Sequence, residues 1–298
     1  MNISKALYLY GIVNQYDIIE QPDSQSVLKE LKSPEQIRLL PIREFAALVS
    51  EVELSEFGEE ALKNRLKDAK WLEHRLRHHE WVVEAFMRCG TVIPMKFATI
   101  FTTEERLCKR LLALYETLRE LCGKLQGKEE WGVKAFCDLR YITASAEAEH
   151  EKIKQLKAQL AGQPPGTVYL MRKQLEELVT QETDQRLAGN LESIYQRLSS
   201  LAHEARLNLL TPHDLTNRKQ EMVLNAALLV EKPSPSRLAE EVRALRRDYS
   251  PHGFEFELVG PFPPYNFIPP LVASPPAAGA TGGGISQLPQ EATHARAA

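Results

Sequence analysis

His74, His78, His79 and Glu80 form the densest group of potential metal ligands and proton carriers in the chain. Imidazoles four positions apart share one face of a helix, the spacing that HExxH zinc proteases use. The match goes no further, because Glu80 follows His79 directly and the position four after His79 is Val83. Helical periodicity puts His74 and His78 on a polar side with Glu73, Arg75 and Arg77. His79 falls on the apolar side, where a hydrogen-bonded core histidine is expected. No third ligand stands at a recognisable spacing, so no metal and no cofactor is expected.

Other reaction chemistries leave equally little. No GxxxxGK[ST] loop occurs, and the only glycine-rich run, Gly282–Gly284, has no strand before it and no helix after it. No GxSxG elbow is present, and Cys89, Cys108, Cys122 and Cys137 form no CxxC pair, as expected of reduced thiols. Adjacent carboxylates such as Glu59-Glu60 and Glu104-Glu105 open helices, where they favour the helix dipole. Lys96 is the one charge in the apolar run Thr91–Phe101. It reads either as a guard on a strand edge or as a positive contact for a partner. His79, Glu80 and Lys96 together are the polar centre available to an alternative reading, a small-molecule enzyme. The two readings part on whether these three residues converge.

A second singular feature is LVGPFPPYNFIPP at 258–270, where prolines bracket Phe262, Tyr265 and Phe267. Such a stretch is either a rigid arm packed on its own protein or a low-entropy aromatic surface for an apolar partner. With Lys96, these three aromatics are the candidate protein-binding residues.

These side chains need elements to hold them. The apolar run 6–13, ended by the turn region at Asn14-Gln15, reads as a buried strand, and 36–40 and 45–53 read as two strands around the connection that contains Pro41. Leu62, Leu66, Ala69, Leu72, Leu76, His79, Val83 and Phe86 recur every three or four residues and predict one helix over 59–88. Gly90 then reads as a left-handed cap before a strand at 91–101. Pro94 requires that strand to be an edge, to be bulged, or to begin late. Thr103 is an N-cap candidate for a helix through Leu121. The polar turn GKLQGKEE at 123–130 marks a domain boundary. Beyond it the pattern predicts a strand at 131–141, helices at 146–161 and 167–207, a strand at 222–230, a helix at 235–247 and a strand at 254–260.

The resulting order is α+β, with two domains, each a modified ferredoxin-like split βαβ unit, and a long helical insertion in the second. The expected boundaries are 1–127, 128–272 and a disordered tail at 273–298, whose Ala, Gly, Pro and Ser offer little to bury. The 298 residues suit two domains, and 43% hydrophobic with 26% charged residues is an ordinary globular composition. A net charge of −3 points to no nucleic acid. No apolar run reaches eighteen residues, so no membrane span is expected.

ALYLYGIV, the His-Glu-x-Val helix running into TVIPMKFATIF, EWGVKAF, MVLNAALLV and GPFPPYNFI follow one another in an order that resembles the GvpF/GvpL family of gas vesicle proteins. The resemblance spans residues 5 to about 270. Pro94-Met95-Lys96 stands where the family often has arginine in place of lysine, and Phe262 where tryptophan is common. The resemblance implies a non-enzymatic accessory or minor structural protein of gas vesicles in the cytoplasm. It also implies binding to the hydrophobic shell subunit and other accessory proteins during nucleation and assembly, with no small-molecule substrate.

Overall fold

In the computed structural model, residues 5–19, 36–161, 163–212, 218–232 and 235–272 are described. They fall into two compact units. Unit 1 comprises the described residues of Met1–Glu129 together with those from Phe262 onward, and unit 2 is Glu130–Pro261. The tail expected at 273–298 lies outside the described residues.

Unit 1 is built on β1 (Lys5–Asn14), α1 (Gln15–Ile19), β2 (Arg38–Ile42), β3 (Phe45–Glu53), α2 (Leu54–Phe57), α3 (Glu59–Arg65), α4 (Ala69–Met87), β4 (Val92–Pro94), β5 (Ile100–Phe101), α5 (Glu104–Ala113) and α6 (Tyr115–Leu125). Its strands lie in the order β2-β3-β1-β4, all neighbours antiparallel, with β5 also pairing β1. A strand entering between its successors in this way is the arrangement of a split βαβ unit. β1 is buried from Ala6 to Val13 because helices cover both sheet faces. Tyr8, Tyr10, Ala46, Leu48 and Val52 pack with Val82, Val83 and Phe86 of α4. α5 and α6 pack against β2, β4 and β5 on the remaining side.

The register of β1 on β3 slips between Leu9 and Gly11. One extra residue, Tyr10, is accommodated there, and the alternation changes phase. Ala6, Tyr8 and Tyr10 share the α4 side, and the next residue on that side is Val13, not Ile12.

The periodicity predicts one helix over 59–88, but the chain breaks at 66–68. Asp68 then caps α4 by accepting from the backbone N–H of Lys70 and Trp71. The strand expected at 91–101 is only β4 and β5, with an irregular loop between, and of the three placements that Pro94 allows β4 takes the edge. Gly90 is not left-handed. Its constraint is space, since a Cβ there would lie 2.6 Å from the Cβ of Asp17. Thr103 caps α5 as expected, accepting from the Arg106 N–H.

Unit 2 carries β6 (Lys128–Cys137), α7 (Leu139–Glu149), α8 (Glu151–Gln159), α9 (Pro165–Ser199), β7 (Glu204–Leu207), β8 (Glu221–Glu231), α10 (Pro235–Tyr249) and β9 (Phe254–Phe262). The strand order β7-β8-β6-β9 repeats that of unit 1. Val133, Ala135, Leu224, Ala226 and Leu228 form a core with Ile194 and Leu198 of α9 and Leu238, Val242 and Leu245 of α10. At 35 residues α9 is the long helical insertion. The periodicity carried this helix to Leu207, but it ends at Ser199, and residues 204–207 form β7 instead. Leu201 in the turn after α9 and Ala205 on β7 match the helical spacing while packing on the same core.

Candidate functional site

α4 carries His79 into the apolar layer of unit 1, where it is 1% exposed. Its Nδ1 lies 2.9 Å from the Tyr8 hydroxyl, and its Nε2 lies 3.0 Å from both the Met95 carbonyl and the Tyr265 hydroxyl. The Met95 oxygen can only accept, so Nε2 carries the proton and Nδ1 accepts from Tyr8. The Tyr8 oxygen in turn accepts from the Ala98 N–H at 2.9 Å. Tyr265 accepts from Nε2–H and donates to Glu80. The chain of donors and acceptors closes around a neutral imidazole with every role filled.

The electrostatics agree. Burial, opposed by the Met95 carbonyl and aided by His78, lowers His79 to about 4. Burial and then the charge of Glu80 raise the Tyr265 phenol well above its ordinary value. Both groups are held neutral. Ala98, which bonds to Tyr8, has φ 59° and is one of two non-glycine residues with positive φ among those described. The Met95–Thr99 loop folds back to deliver its Met95 carbonyl to His79 and its Ala98 N–H to Tyr8.

The closing segment enters this site from the far end of the chain. Pro263 and Pro264 are buried, Tyr265 is half-buried, and Phe267 is fully enclosed at 0% exposure. Lys124 Nζ donates to the Phe267 carbonyl at 3.3 Å and lies 5.8 Å from the centre of its ring. Arg110 donates to the Leu271 carbonyl at 2.6 Å, and Leu271 is itself buried. The segment therefore touches α4, α6 and α5 in turn. The sequence reading groups 262–272 with the second half, but these contacts attach them to unit 1.

Of the candidate partner-binding residues, Phe267 is core, Tyr265 is tied to His79 and Glu80, Phe262 is half-buried, and Lys96 is exposed. His79, Glu80 and Lys96 do not form one solvent-reachable centre: His79 is sealed with both nitrogens bonded, while Lys96 faces water. His74 is exposed, as its polar neighbours predict. His78 is half-buried, with Nε2 3.4 Å from the Tyr10 hydroxyl. Among the described residues no group of three or more His, Cys, Asp or Glu is placed to hold a metal ion. No helix among them is long and apolar enough to cross a membrane. Tyr8 and Tyr10, whose hydroxyl lies 3.1 Å from Ser50 Oγ, are site residues that the sequence reading does not single out, because their strand reads only as core. The three polar tips in ALYLYGIV and its partner strand were the available signal.

The model of the family described as gas vesicle synthesis protein GvpL/GvpF matches residues 6–269. Gas vesicle protein L of Streptomyces sp. (strain CB03234) is 25% identical over 268 residues, covering 90% of this chain and 94% of that protein. Gas vesicle protein F of Nostoc sp. (strain PCC 7120) is 26% identical, covering 82% and 90%. Among solved structures, gas vesicle protein GvpF from Anabaena sp. PCC7120 superposes with a TM-score of 0.65 at 22% identity, covering 89% of this chain and 98% of that one. GvpF from Microcystis aeruginosa gives 0.59 at 20% identity, covering 88% and 98%.

Proposed function

Because the chain belongs to the GvpL/GvpF family of gas vesicle synthesis proteins, we propose that it is a non-enzymatic accessory or minor structural protein of gas vesicles. In this reading it acts in the cytoplasm, binding the hydrophobic shell subunit and assisting nucleation and assembly with other gas vesicle proteins. One surface feature carries the binding step. β7 is the outermost strand of its sheet, and Leu207, Leu209 and Leu210 at its end are 59%, 66% and 49% exposed. Asn208 N–H donates to Asn225 O at 2.7 Å, continuing the register that pairs Leu207 with Ala226. Alternate residues Ala205 and Leu207 therefore turn their backbone groups away from β8. The Ala205 carbonyl is met by the Tyr195 hydroxyl at 3.3 Å. An outer strand flanked by exposed leucines suits an apolar partner that contributes an extended segment.

A second contact falls on the exposed side of unit 1, at Lys96, Phe262 and the outer surface of Tyr265, with Phe267 anchoring the segment from inside. The non-enzymatic reading is supported by the way His79 is used: both nitrogens hold structure, and neither is left to move a substrate proton.

Co-purification with the shell subunit tests this reading. Leu207→Glu with Leu209→Glu should reduce capture about a hundredfold or more, because each buried leucine contributes about 1.5–3 kcal/mol. High salt should change little, since the contact is apolar. Unaltered capture by this variant and by Lys96→Glu with Phe262→Ala would overturn it.

A further inference from the structure

We infer that unit 1 contains a peptide-recognition site for a proline-rich aromatic segment, and that residues 262–271 of the chain are its resident ligand. The site is built as a receptor for main chain and side chain together. Lys124 and Arg110 each donate to a carbonyl of the segment, at Phe267 and Leu271. His79 and Glu80 grip the Tyr265 hydroxyl from opposite sides, one donating and one accepting. Phe267 and Leu271 fill closed apolar positions. Spacing sets the specificity: a tyrosine, then an aromatic two residues on, then a leucine four further.

The α4 side of the site is built without the segment. β1, β3 and α4 form a core of their own to which no residue of 262–272 contributes. Within that core the Tyr8–His79–Met95 part of the hydrogen-bond chain is complete. What the segment adds is Tyr265, and Nε2–H would still have the Met95 carbonyl if Tyr265 left. The prolines at 261, 263 and 264 restrict the segment before it docks, so less freedom is lost on binding than for ordinary chain. The ligand class is therefore a short Pro-Pro-Tyr-x-Phe peptide. In the intact chain the covalent link keeps the local concentration of the resident segment high and the site filled. This assignment does not depend on the gas vesicle reading and stands or falls separately from it.

The full-length protein with a protease recognition sequence inserted between the exposed residues Gly260 and Pro261 allows a direct test. After cleavage and removal of the released segment, a fluorescent synthetic peptide spanning Pro261–Val272 is titrated in. Saturable binding to the cut protein is expected, with none to the uncut protein and none by a scrambled peptide. A Tyr265→Phe peptide should bind about tenfold or more weakly, as expected on losing a hydrogen bond to a charged group. Phe267→Ala should bind more weakly by about a hundredfold or more. Three outcomes would overturn the inference. The first is loss of native circular dichroism by the cut protein when the segment leaves, which would make the segment obligate core. The others are equal binding of the peptide to cut and uncut protein, and binding of the scrambled peptide as tight as that of the native one.

Discussion

His79 and Tyr265 are 186 positions apart in the chain, and their side chains meet at 3.0 Å. The contact ties the end of the described chain to a helix near its beginning. It also makes His79 a three-partner hub: to Tyr8 on β1, to the Met95 backbone, and to Tyr265.

Replacing the hub should cost more than replacing an ordinary core residue. The apolar spacing alone predicts that leucine at 79 would be tolerated. The structure predicts otherwise, because His79→Leu leaves the Met95 carbonyl and the Tyr8 hydroxyl short of a partner inside the core. A loss of about 2–4 kcal/mol in urea unfolding is expected. His79→Gln, which keeps a donor and an acceptor, should lose less. Equal stability of wild type and the leucine variant would refute the role of the hub.

Acid should weaken the fold through the same residue. His79 titrates near 6.5 when unfolded and at about 4 when folded, so the unfolded chain binds the proton more readily. Its contribution is complete above about pH 6.5 and is lost as the pH falls towards 4, for a total of about 3 kcal/mol. Unfolding free energies measured from pH 7 to 4 should fall more steeply for wild type than for His79→Gln. Parallel curves would place the pH dependence elsewhere.

The closing aromatics should separate by burial. Phe267→Ala removes a fully enclosed ring and is expected to cost about 3–5 kcal/mol. Phe262→Ala touches a half-buried side chain and should cost about 1 kcal/mol or less. Thermal and urea unfolding of the two variants give the comparison, and a reversed order would contradict the packing described.

Thiol reactivity provides an independent check. Cys89, Cys122 and Cys137 are buried, and burial pushes the Cys137 thiol up to about 12. Only Cys108 is partly exposed. Titration of the native protein with a thiol reagent near pH 8 should modify Cys108 first, with the other three reacting only on unfolding. Fast reaction of Cys137 in the native state would show that the β6 layer opens.

What the sequence determined by itself was local. Apolar runs located β1, β3 and β8, and alternation located β9. The three-and-four spacing placed α4 and assigned His79 to its apolar side. Pro94 limited its strand to an edge, a bulge or a late start, and the stretch 123–130, read as a turn, is instead the end of α6 and the start of β6, where the chain passes from one unit to the next. These features follow from side-chain period, proline's missing N–H and glycine's freedom, all of which act within a few residues. What only the tertiary structure decided depends on distant partners. β7 was hidden because Leu201, in the turn before it, and Ala205, on it, fit a helical period while packing on the unit 2 core. The phase change at Tyr10 exists only against β3, and Gly90 is required only because Asp17 lies against it. Tyr265 and Phe267 could be recognised as a rigid aromatic segment from their prolines. Whether they faced a partner or their own protein depended on Arg110, Lys124 and His79, which are brought there by folding and by no local rule.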